Sequence, residues 1–433
     1  MLPSPIEPPA ASSDVRSGAT RAEASVDNLA QARTRILAMF RTRRELIRWD
    51  AVSEYVGEAF AGVGELRAAV ETWGSAGLIP TTEKALASVV KVVLRADDSN
   101  GEIGGLAYEL LSLHAELCND EPPKPAVLVE WLIDFRFGGS QNFWEPDIAA
   151  YTDALGAPGL FLLGERLNAL EAALPPQTDA WDSPRQLIGR YRERAAVAGG
   201  DPDEVIASFG ELTRSYRLHD LAKALVEVGD IDEAIGYAER ATLLESGWQA
   251  ERAGQYWCEL LHEEWPHQDE LAARQLIFDR WPSSQNALAL AQAADDENSD
   301  VTWSSLAEAV YAQLETQQPR ELINTLLGLG LADRAWEAAQ RLTTDAGLWT
   351  MLVAAREKAD PASVVPVLIQ LIESDLRVAK PQNYKSAVKR LKQLRRALKA
   401  TDAAALFPPI VADMREQHRR RPTLLQAFDR AGF

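Results

Sequence analysis

Residues 219–245 carry the clearest hydrophobic periodicity in the chain. The first half places one apolar stripe along a helix, formed by Leu221, Ala224, Leu225 and Val228. Gly229 and Asp230 then interrupt the pattern, and the second half carries small side chains at helical spacing, namely Ala234, Ala238 and Ala241. A leucine-rich helix, a glycine turn and an alanine-faced helix are the pattern of a tetratricopeptide-type hairpin.

A second copy of this pattern occupies residues 322–342. Leu322, Leu326 and Leu329 precede Gly330, and Ala335, Ala338 and Leu342 follow it. From Gly229 to Gly330 is 101 residues, close to three repeats of about 34 residues. Because one such hairpin cannot bury its apolar face alone, we expect stacked neighbours. With no β-type alternation of useful length, the sequence predicts an all-α, tetratricopeptide-like helical-repeat solenoid.

Breaks in the pattern divide the chain into four predicted regions. Residues 1–27 are rich in Pro, Ala and Ser without apolar periodicity, which predicts a disordered tail. An N-terminal helical domain is expected over 28–175, tetratricopeptide-like repeats over 176–376, and basic C-terminal helices over 377–433. Within the N-terminal domain, we predict helices at 51–73, 81–95 and 101–118, separated at Gly74-Ser75, at Pro80 and by the loop 97–101.

Charge is distributed unevenly along the chain. The formal net charge of −19 argues against a general nucleic-acid binder. Residues 377–433, however, hold 14 Lys and Arg against 4 Asp and Glu, which leaves 31 and 60 of the chain's 45 and 64 for the remainder. The candidate partner-binding residues in this basic section are Lys385, Lys389, Arg390, Lys392, Arg395, Arg396, Arg419, Arg420 and Arg421. They are interpreted as a solvated face, as counter-charge to the acidic body, or as a surface for an anionic partner.

Three short patterns are candidate chemical sites. The motifs Glu259-x-x-His262 and Glu264-x-x-His267 match the spacing of di-iron ligands, but they lie within nine residues and Pro266 interrupts the second. The loop 97–102 is rich in oxygen ligands but lacks the calcium-loop register, because Gly101 stands fifth rather than sixth. A helix-capping loop is therefore favoured there.

The third pattern is His114 with Cys118, four residues apart on one predicted helix. This spacing permits a thiol–imidazole contact. No orienting group or glycine-rich oxyanion turn lies nearby in the sequence, so a half-buried histidine beside a core cysteine is favoured over a nucleophile.

Several short stretches resemble the region downstream of the zinc finger in bacterial SWIM zinc-finger family proteins, and related uncharacterised proteins that lack the finger. They are Asp97–Gly101, Leu113-His114, Tyr151 with Leu155-Gly156, Asn383–Ala387, Met414–Pro422 and Leu424-Leu425. The resemblance implies a helical-repeat body and brings no activity with it. The finger itself needs three cysteines and a histidine on zinc, whereas this chain has only Cys118 and Cys258.

Together these features predict a cytoplasmic, non-enzymatic scaffold that binds another protein. Two cysteines cannot form a disulfide framework, and no apolar run approaches the length of a membrane span or a secretory signal. No catalytic motif is present, and we expect no cofactor and no metal. The twelve tryptophans are interpreted as wedges between helices, some of them available as binding anchors.

The alternative function is that of a nucleic-acid-associated protein, which binds through the basic C-terminal helices. An enzyme with a dispersed site is a third class. Partner identity and oligomeric state are left open.

Overall fold

The structure, a computed structural model, describes residues 29–138, 144–176, 183–264, 267–294 and 302–433. Every regular element in these ranges is helical, and none of the described residues lies in a strand. The all-α prediction is therefore confirmed. The predicted disordered tail at 1–27 lies outside the described residues.

The chain divides into two compact units, one of residues 1–213 with 220–234 and the other of residues 214–219 with 235–433. Eight helices lie entirely in the first unit. They are α1 (29–39), α2 (Trp49–Trp73), α3 (Ser75–Val93), α4 (Glu102–Asp120), α5 (Pro125–Phe137), α6 (Thr152–Ala173), α7 (Ser183–Gly199) and α8 (Pro202–Ser208), with a 3₁₀ turn at Ile148–Tyr151. Two helices, α9 (Ser215–Glu227) and α10 (Ile231–Leu244), contribute residues to both units.

The remaining helices belong to the second unit. They are α11 (Trp248–Glu264), α12 (His267–Arg280), α13 (Ser284–Ala294), α14 (Trp303–Gln317), α15 (Pro319–Gly328), α16 (Ala332–Leu342), α17 (Ala346–Arg356), α18 (Pro361–Arg377), α19 (Pro381–Ala400), α20 (Phe407–Gln417) and α21 (Pro422–Ala431), with a 3₁₀ turn at Ala404–Leu406.

In the first unit, α4 is the central helix. It packs against α2, α3 and α6, and its apolar face is completely buried. The core around it includes Phe40 and Tyr55. The hydroxyl of Tyr55 donates to the carbonyl oxygen of Phe40 at 3.1 Å. Burying apolar area of this kind is the main favourable term in folding, at about 25 cal/mol per Å².

The predicted break at Pro80 is wrong, because α3 begins earlier, at Ser75. Gly74, with φ of +69°, alone separates α2 from α3. The start of α3 is held by the Glu121 carboxylate, which accepts from the backbone N–H of Ala76 at 2.6 Å. Pro80 lacks the N–H that would bond the carbonyl oxygen of Ala76, four positions before it, so α3 continues through Pro80 with one hydrogen bond missing near its start.

The second unit is a continuous stack of helices. Consecutive helices pack as hairpins, and alternate helices also touch, since α15 contacts both α13 and α17. The odd-numbered helices begin at Ser215, Trp248, Ser284, Pro319, Ala346 and Pro381. Most of these steps are close to the roughly 34 residues of a tetratricopeptide repeat. One hydrophobic core runs from Leu271 to Phe428 through this stack, so the helical-repeat prediction is confirmed.

The two predicted repeat copies end their first helices in the same way. Gly229 and Gly330 both adopt a left-handed backbone, with φ of +84° and +74°. In each copy the next residue reaches back five positions: the N–H of Asp230 donates to the carbonyl of Leu225 at 3.0 Å, and that of Leu331 to Leu326 at 2.8 Å. This is the Schellman arrangement, which satisfies free carbonyls at a helix end. It explains why the glycine recurs at the same place.

We expect Gly330→Ala to lower the free energy of unfolding by about 1 kcal/mol, because an L-residue is strained in the left-handed region. The matched control is Gly236→Ala within α10, which should raise stability by about 0.5–1 kcal/mol through better helix propensity. A methyl group at either position meets no atom within 4 Å, so only backbone conformation distinguishes the two variants. Urea denaturation followed by circular dichroism measures both. Equal shifts of the same sign would contradict the prediction.

Candidate functional site

Helix α19 forms the basic surface predicted from the sequence. Pro381 occupies its first turn, where the missing N–H is not needed. One face is apolar and buried, and it carries Tyr384, Ala387, Leu391, Leu394 and Leu398 against the core. The opposite face carries the cations, because Lys385, Lys389, Lys392 and Arg396 recur at helical spacing and all are exposed.

Arg390 has a structural role in this helix. Its guanidinium donates to the carboxylate of Asp375 at 2.5 Å, to the carbonyl of Leu371 at 3.1 Å and to the hydroxyl of Thr350 at 3.1 Å. The side chains of Arg390 and Asp375 are only 15% and 17% exposed. Burial raises the pKa of the Asp375 carboxyl, while Arg390 opposes that rise. This buried pair ties α19 to α18.

Other arginines of the predicted site are also engaged within the protein. Arg396 pairs with Glu357 at 3.2 Å, and Arg395 lies over the rings of Phe407 and Phe433. In the turn after α20, Arg419 pairs with Glu416, and Arg421 donates to the carbonyl oxygen of Leu376. Arginine suits these positions because its planar guanidinium supplies several donors in a fixed geometry.

The lysines behave differently. Lys385, Lys389 and Lys392 are exposed and make no hydrogen bond or ion pair to any residue that the structure describes, and the same holds for Arg420. The predicted site therefore separates into structural arginines and unpaired surface cations. We call Lys385, Lys389 and Lys392 the lysine stripe. Of the nine predicted residues, these three and Arg420 are the ones without a polar or ring contact to a residue that the structure describes, so they are available to an anionic partner.

His114 and Cys118 come together in the first unit, as the sequence permits. The Cys118 sulfur lies 3.8 Å from each nitrogen of His114, and the His114 ring stacks on Trp131 at 3.9 Å. The Nδ1 of His114 is 3.1 Å from the hydroxyl of Tyr151. Burial raises the pKa of Cys118 to about 12, so its thiol stays protonated at neutral pH. The geometry therefore favours a core cysteine over a nucleophile.

The loop before α4 is a helix cap. The carboxylate of Asp98 accepts from the N–H groups of Ile103 at 2.9 Å and Gly104 at 2.8 Å. Gly101 has a left-handed backbone, with φ of +74°. The oxygens that suggested a calcium loop are thus used by backbone amides, as the capping interpretation predicted.

The Glu-x-x-His patterns do not assemble a metal site in the described chain. His262 pairs with Glu270 at 2.9 Å, and Glu270 also binds Arg274. The side chains of Glu264 and His267 lie outside the described residues. Among the described residues, no group of three or more His, Cys, Asp or Glu side chains is placed to hold a metal ion.

A feature that the sequence did not single out is an exposed apolar cluster where α10 turns into α11. We call it the corner cluster; it consists of Leu243, Leu244 and Trp248 around this turn and of Tyr216 on α9, next to Ser215, whose N–H bonds to Glu245 in the turn. All four side chains are exposed. The turn beneath it is firmly held. The carboxylate of Glu245 accepts from the N–H of Ser215 at 3.1 Å, and the Trp281 indole donates to the carbonyl of Ser246 at 2.9 Å. The sequence gives no signal for it, because adjacent leucines can both be buried, as Leu260 and Leu261 are.

No protein-family model matches the chain, and no curated protein matches it. Among solved structures, the chain aligns with one described as a circular tandem repeat protein with novel repeat topology and enhanced subunit contact surfaces. The two are 12% identical, and the alignment covers 95% of this chain and 99% of that one with a TM-score of 0.19. In the described part of the chain, no helix is both long and apolar enough to cross a membrane.

Arg390→Ala should destabilise the second unit by about 3 kcal/mol, because it leaves Asp375 buried without its counter-charge. Lys389→Ala, at the neighbouring exposed position, should change stability by less than about 0.5 kcal/mol. Urea denaturation of the two variants beside the wild type measures the difference. Equal effects at both positions would remove the distinction drawn between structural and free cations.

Native Cys118 and Cys258 should both resist thiol reagents. Burial raises the pKa of each thiol to about 12, and both side chains are buried. At pH 8 we expect labelling by Ellman's reagent at least about a hundredfold slower than for an exposed cysteine, with full reaction in denaturant. Rapid native labelling of Cys118 would revive the nucleophile hypothesis; Cys258→Ser identifies which thiol has reacted.

Proposed function

We propose that this protein is a non-catalytic, cytoplasmic scaffold that binds another protein through its helical-repeat unit. The observation that carries the proposal is the corner cluster of Tyr216, Leu243, Leu244 and Trp248. Exposed apolar side chains are ordinary when single, but several large ones around one junction between helices are a feature of interaction sites. Tryptophan and tyrosine are also the residues that most often dominate binding energy.

The corner cluster is suited to binding because its backbone is preorganised. Arg280 donates to the backbone carbonyl of Glu245 at 2.7 Å. The side-chain carboxylate of Glu245 lies 3.3 Å from the Nε of Arg214. A turn fixed from both neighbouring helices loses little conformational entropy when a partner docks. The partner that this chemistry fits is a protein segment that presents its own apolar side chains and polar groups able to pair with Arg214 or Arg280.

We infer a non-catalytic role because three of the residues considered for chemistry have structural contacts in the described part of the chain. Asp98 caps α4, Cys118 stays protonated, and His262 pairs with Glu270. Such assignments leave no activated nucleophile among the residues that the sequence singled out. The resemblance to bacterial SWIM zinc-finger family proteins supports the same proposal, since it implies a helical-repeat body without an activity.

A second candidate function is association with nucleic acid. The lysine stripe favours it, because three unpaired ammonium groups on one face of α19 are available to neutralise phosphates. The chain's net charge of −19 opposes it. The stripe is also short, so any such binding would depend strongly on salt concentration.

Affinity capture with the full-length protein separates the two functions. We expect a defined protein to be recovered after nuclease treatment, and its binding to the purified chain to weaken at least about tenfold in Trp248→Ala, as for a hot-spot residue. The matched control is Trp49→Ala, since Trp49 is 70% exposed and Trp248 69%. Equal loss in both variants would contradict a specific role for the corner cluster.

A third variant, Lys385→Gln with Lys389→Gln and Lys392→Gln, reports on the alternative. These positions bear exposed, unpaired side chains, so the substitutions should leave the fold intact. If recovery disappears with nuclease or with this variant, and Trp248→Ala has no effect, the protein scaffold proposal is wrong and nucleic acid is the partner.

A further inference from the structure

Helix α19 carries a continuous row of cations along its outer side. Its sequence from Pro381 to Ala400 holds seven Lys and Arg and no Asp or Glu. The lysine stripe continues through Arg396 to Lys399, which is exposed as well. Steps of three and four residues place these side chains on one face of the helix, opposite the buried leucines. From the first lysine of the stripe to Lys399, this row of cations is roughly 21 Å long, at about 1.5 Å of rise per residue.

Most of this positive charge has no counter-charge in the described part of the chain. Lys399, like the lysine stripe, makes no hydrogen bond or ion pair to a residue that the structure describes. The carboxylates paired with α19 are those of Asp375, which Arg390 holds, and of Glu357, which Arg396 holds. Pairing with the acidic body, one of the roles considered for these cations, is therefore done by the arginines. The lysines present their charge to solvent.

Exposed apolar side chains lie beside the row of cations. Arg390 donates to the hydroxyl of Thr350 on α17, and the next residue, Met351, is 46% exposed. At the start of α19, the side-chain amide of Asn383 donates to the carbonyl oxygen of Val378, which is 49% exposed. The phosphate backbone of a nucleic acid offers charge without apolar side chains, whereas an amphipathic protein helix presents both together.

We propose that the lysine stripe, extended by Lys399, is an interface for an acidic amphipathic helix of another protein. In this arrangement the partner helix lies along α19, with Asp or Glu side chains at steps of three or four residues, the same spacing as the cations. Its apolar side chains cover Met351 and Val378. Lysine suits the contact, because one charge on a flexible stem can meet a carboxylate from several directions, whereas bidentate recognition of phosphate favours arginine.

This interface goes beyond the proposed scaffold function, because it consists of other residues than the corner cluster and has the opposite chemistry, cationic rather than apolar. A nucleic acid would compete for the same cations. The chain's net charge of −19 repels a long polyanion, and a short acidic helix carries far less charge. Together with the apolar side chains beside the row, this repulsion favours the acidic helix at this surface.

Fluorescence anisotropy with the purified full-length protein, freed of nucleic acid, tests the proposal. The probe is a labelled helical peptide of about 16 residues, long enough to cover the row, with Glu along one face and Leu beside it. Its controls are the same peptide with Gln for every Glu, and a single-stranded oligonucleotide of equal charge. We expect saturable binding of the acidic peptide that weakens as salt rises, and at least about tenfold weaker binding of both controls.

Replacing all three residues of the lysine stripe by Gln should weaken binding of the acidic peptide at least about tenfold. A matched control removes the same charge from exposed lysines of the first unit, through Lys84→Gln, Lys91→Gln and Lys124→Gln together, and should bind like the wild type. Circular dichroism of both variants verifies that they are folded, as expected for substitutions at exposed positions.

Met351→Gln distinguishes the two kinds of partner, because it keeps every charge and removes an apolar contact. It should weaken binding of the acidic peptide at least about threefold and leave binding of the oligonucleotide unchanged. Trp248→Ala should bind the peptide like the wild type, so the failure of the corner cluster as a binding site and the failure of this interface are told apart. Tighter binding of the oligonucleotide than of the peptide, equal loss in the two lysine variants, full peptide binding by Met351→Gln, or no binding of the acidic peptide would overturn the proposal.

Discussion

The fold depends on close packing between leucine-rich and alanine-faced helices. Ala234, Ala238, Ala335 and Ala339 are completely buried, and their small side chains let the neighbouring helix approach closely. A hairpin made in this way still has an uncovered face, so each hairpin requires the next one. This need produces the contacts between alternate helices in the second unit, with one core running through the stack. What the stack does not cover becomes surface available for binding.

Sequence reasoning succeeded where the determining interactions are local. The glycine turns at 229 and 330, the cap at Asp98 and the apolar faces of the repeat helices involve residues within one or two turns of each other. The same reasoning failed at Pro80, because the contact that starts α3 early comes from Glu121, 45 residues away along the chain. The rules for proline describe the backbone hydrogen bond that a helix loses. They do not include a hydrogen bond that a distant side chain makes to the start of the helix.

The binding surfaces show the same limit more sharply. Lys389 and Arg390 are adjacent and equally basic in sequence, yet one is exposed and the other is fixed to Asp375 on α18. No local pattern reports that partner. In the first unit, Glu83 and His114 likewise belong to different helices and meet only through packing. The corner cluster was not detectable either, since the exposed pair Leu243 and Leu244 looks in sequence like the buried pair Leu260 and Leu261.

The separate uses of arginine and lysine on α19 have an evolutionary consequence. Arg390 contributes to the fold through the buried carboxylate of Asp375, so its replacement is opposed by selection for stability. The lysine stripe carries no such constraint, and single nucleotide changes can erase or invert its charge without endangering the helix. Related chains can thus diverge widely in surface charge, and therefore in the partners they bind, while the repeat framework stays the same.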